Sequence, residues 1–154
     1  MLSNDNEQYS RRNNLRICGL KPPEGEDCRT SAVKFITNVL RVTVNDVDIE
    51  VAHMASNISL ASSSGQQRRP TMLIRFCRKD KRDEVIRSRR ILKGTRYAVT
   101  EDLTTLNIKT MNRLRNDENV RSAWSWNGKI FATLSNFKKV TVRPFQTVSE
   151  LLNS

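Results

Sequence analysis

The chain has 154 residues, enough for one medium domain or two small ones, and its 37% hydrophobic content supports a core of modest size. No apolar run approaches the roughly 18 residues of a membrane span, and the polar opening lacks the pattern of a secretory signal peptide, so the protein is expected inside a cell or a virus-infected cell and off the membrane. The formal net charge of +11 is unevenly placed: residues 1–65 carry net −1, residues 66–99 net +9 and residues 100–154 net +3. A focused, arginine-rich block concentrates polyanions, and phosphate backbones are the obvious ones, because each neutralised phosphate releases a counterion.

Residues 1–13 are read as a polar lead-in ending in Arg11-Arg12. Residues 15–20 alternate as a strand does and are stopped by Pro22-Pro23. Asp27 or Thr30 caps a helix whose stripe is Ala32, Val33, Ile36, Val39 and Leu40. Residues 48–55, with Ile49, Val51 and His53 alternating, predict a second strand. The Ser-, Asn- and Gln-rich stretch 56–68 predicts a flexible loop. A third strand is expected over 71–76 and a helix over 78–92, its apolar stripe loosened because Arg82 and Arg89 fall beside Val85, Ile86 and Leu92. A short fourth strand is placed at 97–100. The expected class is α+β: a ferredoxin-like βαββαβ domain over 14–100, the arrangement of the RNA-recognition motif, followed by a small α/β domain over 101–154.

The second domain is expected to open with a helix over 104–120, and Glu101-Asp102 ahead of it is read as N-terminal charge and capping. Asn127-Gly128 between alternating runs signals a hairpin with a type I′ turn. Trp126 would then pair with Lys129 and Trp124 with Phe131, on one face. Tryptophans usually bury their rings; Trp126 and Phe131 are read as core, while Trp124 stands between core and a stacking surface. A strand over 139–145 and a helical turn over 147–152 complete the chain.

Little points to catalysis. Cys18, Cys28, Cys77 and the lone His53 do not have the spacing of a zinc site. No Gly-rich phosphate loop or nucleophile–base arrangement is visible, so neither cofactor, metal nor enzymatic activity is expected. The binding candidates divide by origin. Arg16 and Arg75 occupy the strand positions where an RNA-recognition motif carries stacking aromatics, which predicts a charged sheet face. Arg82 and Lys93 belong to the basic block, and its cations outnumber Asp80, Asp83 and Glu84 nearby. Trp124 comes from the hairpin.

Glu7-Gln8-Tyr9-Ser10-Arg11-Arg12-Asn13-Asn14-Leu15-Arg16-Ile17 resembles the opening of the conserved region in LINE-type retrotransposon first-frame (transposase-22-like) proteins. The runs Asp48-Ile49-Glu50-Val51-Ala52-His53, Arg69-Pro70 with Arg75-Phe76, and Lys81-Arg82-Asp83-Glu84-Val85-Ile86 continue the likeness. Glu101-Asp102-Leu103-Thr104 and Trp124-Ser125-Trp126-Asn127-Gly128-Lys129-Ile130-Phe131 also resemble the domain shared with the baculovirus few-polyhedra protein. The resemblance implies binding of RNA or single-stranded DNA, chaperone-like strand handling and ribonucleoprotein assembly in the cytoplasm, with the nucleus as a second location. It implies contacts from Arg11, Arg12, Arg68, Arg69, Arg89 and Arg90. The arginine pair expected early in the third helix is replaced by Met111-Asn112, flanked by Lys109 and Arg113, which become the candidates there. It further implies a homotrimer wherever an upstream coiled coil exists, and only a short stretch precedes Arg11 here. The few-polyhedra likeness carries the alternative of a protein-interaction or viral structural role.

Overall fold

The computed structural model describes residues 2–55 and 69–154; the loop expected over 56–68, with Arg68 in it, lies outside them. In chain order the elements are α1 (Leu2–Ser10), β1 (Asn14–Cys18), α2 (Cys28–Asn38), β2 (Ile49–Met54), β3 (Thr71–Phe76), α3 (Lys79–Arg87), β4 (Ala98–Glu101), α4 (Thr105–Arg115), β5 (Val120–Trp126), β6 (Lys129–Leu134), β7 (Lys139–Val142) and α5 (Val148–Leu152). The fold is α+β with antiparallel sheets. Two compact units share the chain: Asn13–Asp102 forms one, and Met1–Arg12 with Leu103–Ser154 forms the other.

In the first unit the strand order is β2-β3-β1-β4 and every pairing is antiparallel. Period-2 alternation sends Leu15, Ile17, Met72, Ile74, Phe76 and Val99 to one face, where they are buried together with Ala32, Phe35, Ile36, Val85 and Ile86 of the helices. Asp27 caps α2 by accepting the Thr30 N–H at 2.7 Å. The first strand was expected to reach residue 20 but ends at Cys18. Gly19 turns the chain with φ +92°, and a Cβ there would stand 2.6 Å from the Arg96 carbonyl oxygen, so only glycine fits.

The helix expected over 78–92 is α-helical only to Arg87; Ser88–Leu92 tightens into a 3-10 turn. Ser88 donates its backbone N–H to the carbonyls of Ile86 and Val85, and its hydroxyl also bonds the Val85 carbonyl at 2.6 Å. The tighter winding lets Leu92 follow Val85 and Ile86 into the core.

Arg82 requires a correction. It was expected among the surface cations, yet it is the largest fully buried side chain, with 2% exposure. Its Nη2 donates to Glu101 Oε2 at 2.5 Å and its Nη1 to Asp83 Oδ1 at 2.9 Å. Glu101 sits on β4 opposite Leu15, on the core-facing side, so the pair ties α3 to the edge strand. The N-cap of the following helix is Thr104 rather than either residue of Glu101-Asp102. Thr104 accepts the Asn107 N–H at 3.1 Å.

In the second unit β5-β6-β7 form an antiparallel sheet over a core of Met111, Leu114, Ile130, Ala132, Leu134, Val142, Val148 and Leu151. Asn127 (φ 51°) and Gly128 (φ 76°) both take positive φ, as a type I′ turn requires, and Trp126 pairs with Lys129 and Trp124 with Phe131. The helix expected to reach residue 120 stops at Arg115, because Asp117 accepts the Asn119 N–H at 2.8 Å and turns the chain into β5. The last strand ends at Val142, ahead of Pro144, which has no N–H for a ladder. The polar lead-in forms helix α1, and polar contacts hold it. Gln8 Oε1 accepts the Thr104 N–H and the Asn107 amide, each at 2.9 Å, Asn4 Oδ1 accepts the Thr104 hydroxyl at 2.8 Å, and Asp5 pairs with Arg143 at 2.9 Å.

A buried charge stripped of its partner is costly. Glu101→Ala is expected to destabilise the protein by about 3–5 kcal/mol, read as a lower midpoint in urea unfolding, whereas Arg90→Ala on the surface should stay within about 0.5 kcal/mol of the wild type.

Candidate nucleic-acid interface

Helix α3 begins as a balanced surface. Arg78 pairs with Asp80 (3.2 Å), Lys79 with Asp83 (3.0 Å) and Lys81 with Glu84 (3.1 Å), while Arg82 takes Asp83 and the buried Glu101. These carboxylates are the local supply, and the first cations of the helix take them all. The next turn differs. Among the described residues, the side chains of Arg89, Arg90 and Lys93 have no ion pair and no hydrogen bond, and Arg90 and Lys93 are exposed. Three uncompensated cations within five residues repel one another, and a chain of phosphates relieves that repulsion.

The outer face of the first unit's sheet is polar and internally bonded. Arg16 donates from Nε to Asp102 Oδ1 at 2.8 Å, Asn14 Nδ2 donates to Asp102 Oδ2 at 3.0 Å, and Arg75 Nε donates to Asn14 Oδ1 at 3.2 Å. Asp102 is 3% exposed, so Arg16 is the counterion of a buried carboxylate and only its remaining N–H groups face outward. Arg75 is exposed and reaches the same network through a neutral amide. Leu73 lies opposite both Arg16 and His53. This face supplies hydrogen-bond donors and no aromatic platform.

Arg69 is exposed ahead of β3 and bonds the Arg96 carbonyl at 3.4 Å. Lys21, Arg96 and Tyr97 gather at the same end of the sheet. Sequence reasoning did not select Lys21 or Tyr97, which come from separate loops with no shared motif, and it counted Arg96 only as part of the basic block.

The remaining candidates belong to the second unit. Arg11 pairs with Glu7 at 3.0 Å and bonds the Leu103 carbonyl at 3.4 Å. Arg12 lies over the Tyr9 ring at 4.2 Å. Lys109 and Arg113 are placed on α4, with Arg113 donating to the Gln146 carbonyl at 2.9 Å, and Met111 between them is core. Trp126 and Phe131 correct the expectation of burial in the core. Ile130, Ala132 and Leu134 of β6 take the core side, so alternation places Lys129, Phe131 and Thr133 on the opposite face, with Trp124, Trp126 and Lys139 as their partners across the ladder. Trp124 and Phe131 stack at 6.0 Å and 21°, half-buried. Lys129 opposite Trp126, with Lys139 on the same face, suits a base-stacking surface.

Among the described residues, no group of three or more His, Cys, Asp or Glu side chains could hold a metal ion, and no helix is long and apolar enough to cross a membrane.

Asp83 reports on this balance. Burial pushes its carboxyl up, but hydrogen bonds from Lys79 and Arg82 and their charges outweigh that and hold it below the ordinary value of 3.8. Its contribution to stability is therefore complete above the ordinary value and is lost as the pH falls from there through the lower folded value. Asp83→Asn is expected to lower stability at neutral pH and to flatten the stability curve of acid unfolding below about pH 4, followed by circular dichroism. An unchanged acid limb would detach Asp83 from that role.

No protein-family model matches the chain, and neither does any curated protein.

Proposed function

We propose that the protein is a non-catalytic binder of RNA or single-stranded DNA, with little dependence on sequence. The observation that carries this reading is the division of charge along one helix. Arg78, Lys79, Lys81 and Arg82 in the first turns of α3 are spent on internal carboxylates, while Arg89, Arg90 and Lys93 directly after the helix are left without partners among the described residues. Cations serving solubility alone have no reason to be crowded onto one turn. Phosphate contacts position a strand without reading its bases, which is why the binding is expected to be tolerant of sequence.

Two further features support the reading. The first unit is α+β with the strand order β2-β3-β1-β4, which we read as supporting the arrangement of an RNA-recognition motif. On this reading it is a noncanonical member, because Arg16 and Arg75 stand where stacking aromatics belong. The stacked Trp124–Phe131 pair with Lys129 and Lys139 supplies base-stacking chemistry in the other unit. The resemblance to retrotransposon first-frame proteins adds the expectation of strand handling in the manner of a chaperone.

The test is a titration of a fluorescent single-stranded 20-mer at several salt concentrations. Arg89→Glu/Arg90→Glu is expected to weaken binding alike for unrelated sequences and to reduce the log–log salt slope by about 1.4, since each phosphate neutralised on a single strand adds about 0.7 to it. Weakening confined to one sequence would contradict phosphate-led binding. Absence of binding by the wild type at low salt would turn the basic turn over to an acidic protein partner, recognisable as a crosslinked partner that survives RNase.

A further inference from the structure

At one end of the first unit's sheet, three chain segments converge: the exit of β1 and the approaches to β3 and β4. Gly19 donates its N–H to the Pro70 carbonyl at 2.8 Å and packs against the Arg96 carbonyl so closely that no side chain fits. The convergence leaves an open cleft of about 380 Å³, lined by Gly19, Lys21, Arg69, Pro70, Arg96 and Tyr97 among others. That volume lies within the range of sites for small organic ligands, roughly 300–1,000 Å³.

The lining has an unusual chemistry. Among the described residues it holds three cations and no carboxylate, and none of the three is in an ion pair. Placing like charges around one concavity without a counterion is unfavourable unless an anion enters. The second component is aromatic. Tyr97 is half-buried and packs against Phe35 in a T-shaped contact, at 4.9 Å and 65°. The Arg96 guanidinium lies 4.9 Å from its centroid and donates to its hydroxyl at 2.7 Å. Arg96 is thus already ordered, and the entropy cost of fixing its rotamer on a ligand is small. Among the described residues, Arg69 makes one long 3.4 Å bond to a carbonyl, which an anionic oxygen outcompetes, since charge-assisted bonds are shorter and stronger.

We infer that this cleft is a nucleotide subsite, in which Lys21, Arg69 and Arg96 take a phosphate while the attached sugar and base lie against Tyr97 and Pro70. The inference rests on the proposed strand binding for its natural source of nucleotide, but its chemistry, a phosphate joined to a flat ring, is the same for a free nucleotide. The turn from Leu92 to Thr95, closed by the Thr95 N–H to the Leu92 carbonyl at 2.9 Å, joins the cleft to the basic turn that carries Arg89, Arg90 and Lys93. A strand phosphate on one site therefore has a neighbour along the same stretch of chain.

The experiment uses the full chain labelled with 15N and titrated with thymidine monophosphate, a 5′-phosphorylated thymidine dinucleotide, inorganic phosphate and thymidine. Both nucleotides are expected to shift the amides of Gly19, Lys21, Arg96 and Tyr97, and thymidine is expected to leave them unmoved. In R69Q/R96Q those shifts should vanish while the rest of the spectrum stays as in the wild type. Affinity for the 20-mer should fall about tenfold, with the salt slope lower by about 1.4. In Y97L the preference for nucleotide over inorganic phosphate should disappear. K21Q, in an exposed loop, provides a second reading should the double variant lose its fold. A 20-mer that binds through Arg89 and Arg90 while the cleft amides stay silent would overturn the subsite alone. A 20-mer that fails to bind, while thymidine monophosphate still shifts the cleft, would sink the strand-binding reading and leave the subsite standing with free nucleotide as its source. Wild-type affinity in R69Q/R96Q for both the 20-mer and the dinucleotide would also overturn it.

Discussion

The buried pair of Arg82 and Glu101 is the constraint around which the first unit is arranged. A guanidinium at 2% exposure cannot be left without a counterion, and its Nε has no hydrogen-bond partner among the described residues, so the bonds its two terminal nitrogens make to Glu101 and Asp83 carry the whole compensation. Meeting that demand sets the rotation of α3 about its axis. With Arg82, Val85 and Ile86 turned inward, Arg78, Asp80 and Glu84 turn outward and Lys79, Lys81 and Asp83 lie at the margin. The same demand holds β4 in register with β1, because Glu101 must lie opposite Leu15 on the core side. A hydrophobic residue of similar volume would pack as well. What the ion pair adds is a specified rotation and register.

Charge on the surface follows from that arrangement. Carboxylates near the start of α3 are consumed locally, and Asp102, one residue beyond Glu101, points to the other side of the sheet and takes Arg16 and Asn14. Two adjacent acids thereby neutralise one arginine on each face of the same strand end. Among the described residues, Arg89, Arg90 and Lys93, and Lys21, Arg69 and Arg96 around the cleft, are cations of this unit without an ion pair. A sheet face already occupied by an Arg–Asp–Asn–Arg network has less to offer a polyanion than these two regions, since its best donors are engaged.

Much of the secondary structure was legible in the residues. Alternation located β1, β2 and β3, Asn-Gly placed the hairpin turn and its register, and Asp27 marked the start of α2, because each signal acts over a few residues and reports local backbone geometry. Helix ends were less legible. The stop of α4 depends on a side-chain turn at Asp117, and the change of winding at Ser88 depends on where Leu92 must go. The arginines were legible as a group and opaque one by one. Arg82 and Arg89 share a helical side and a chemistry, yet one is buried and the other is half-buried without a partner, because only Arg82 has an acid from a strand 19 residues away.

The α+β class, the concentration of positive charge in the middle of the chain and the lack of a recognisable catalytic motif can all be read before folding, because composition, periodicity and charge count are properties of the linear chain. Which cations are available is settled by folding. Ion pairing and burial depend on distances between residues far apart in the chain, so Glu101 reaching Arg82, Asp102 reaching Arg16, and Lys21, Arg69 and Arg96 meeting around Tyr97 have no counterpart in any local pattern. The outward placement of Trp124, Trp126 and Phe131 arises in the same way: alternation put them on one face, but which face meets the core was chosen by Ile130, Ala132 and Leu134 packing against Met111 and Leu114.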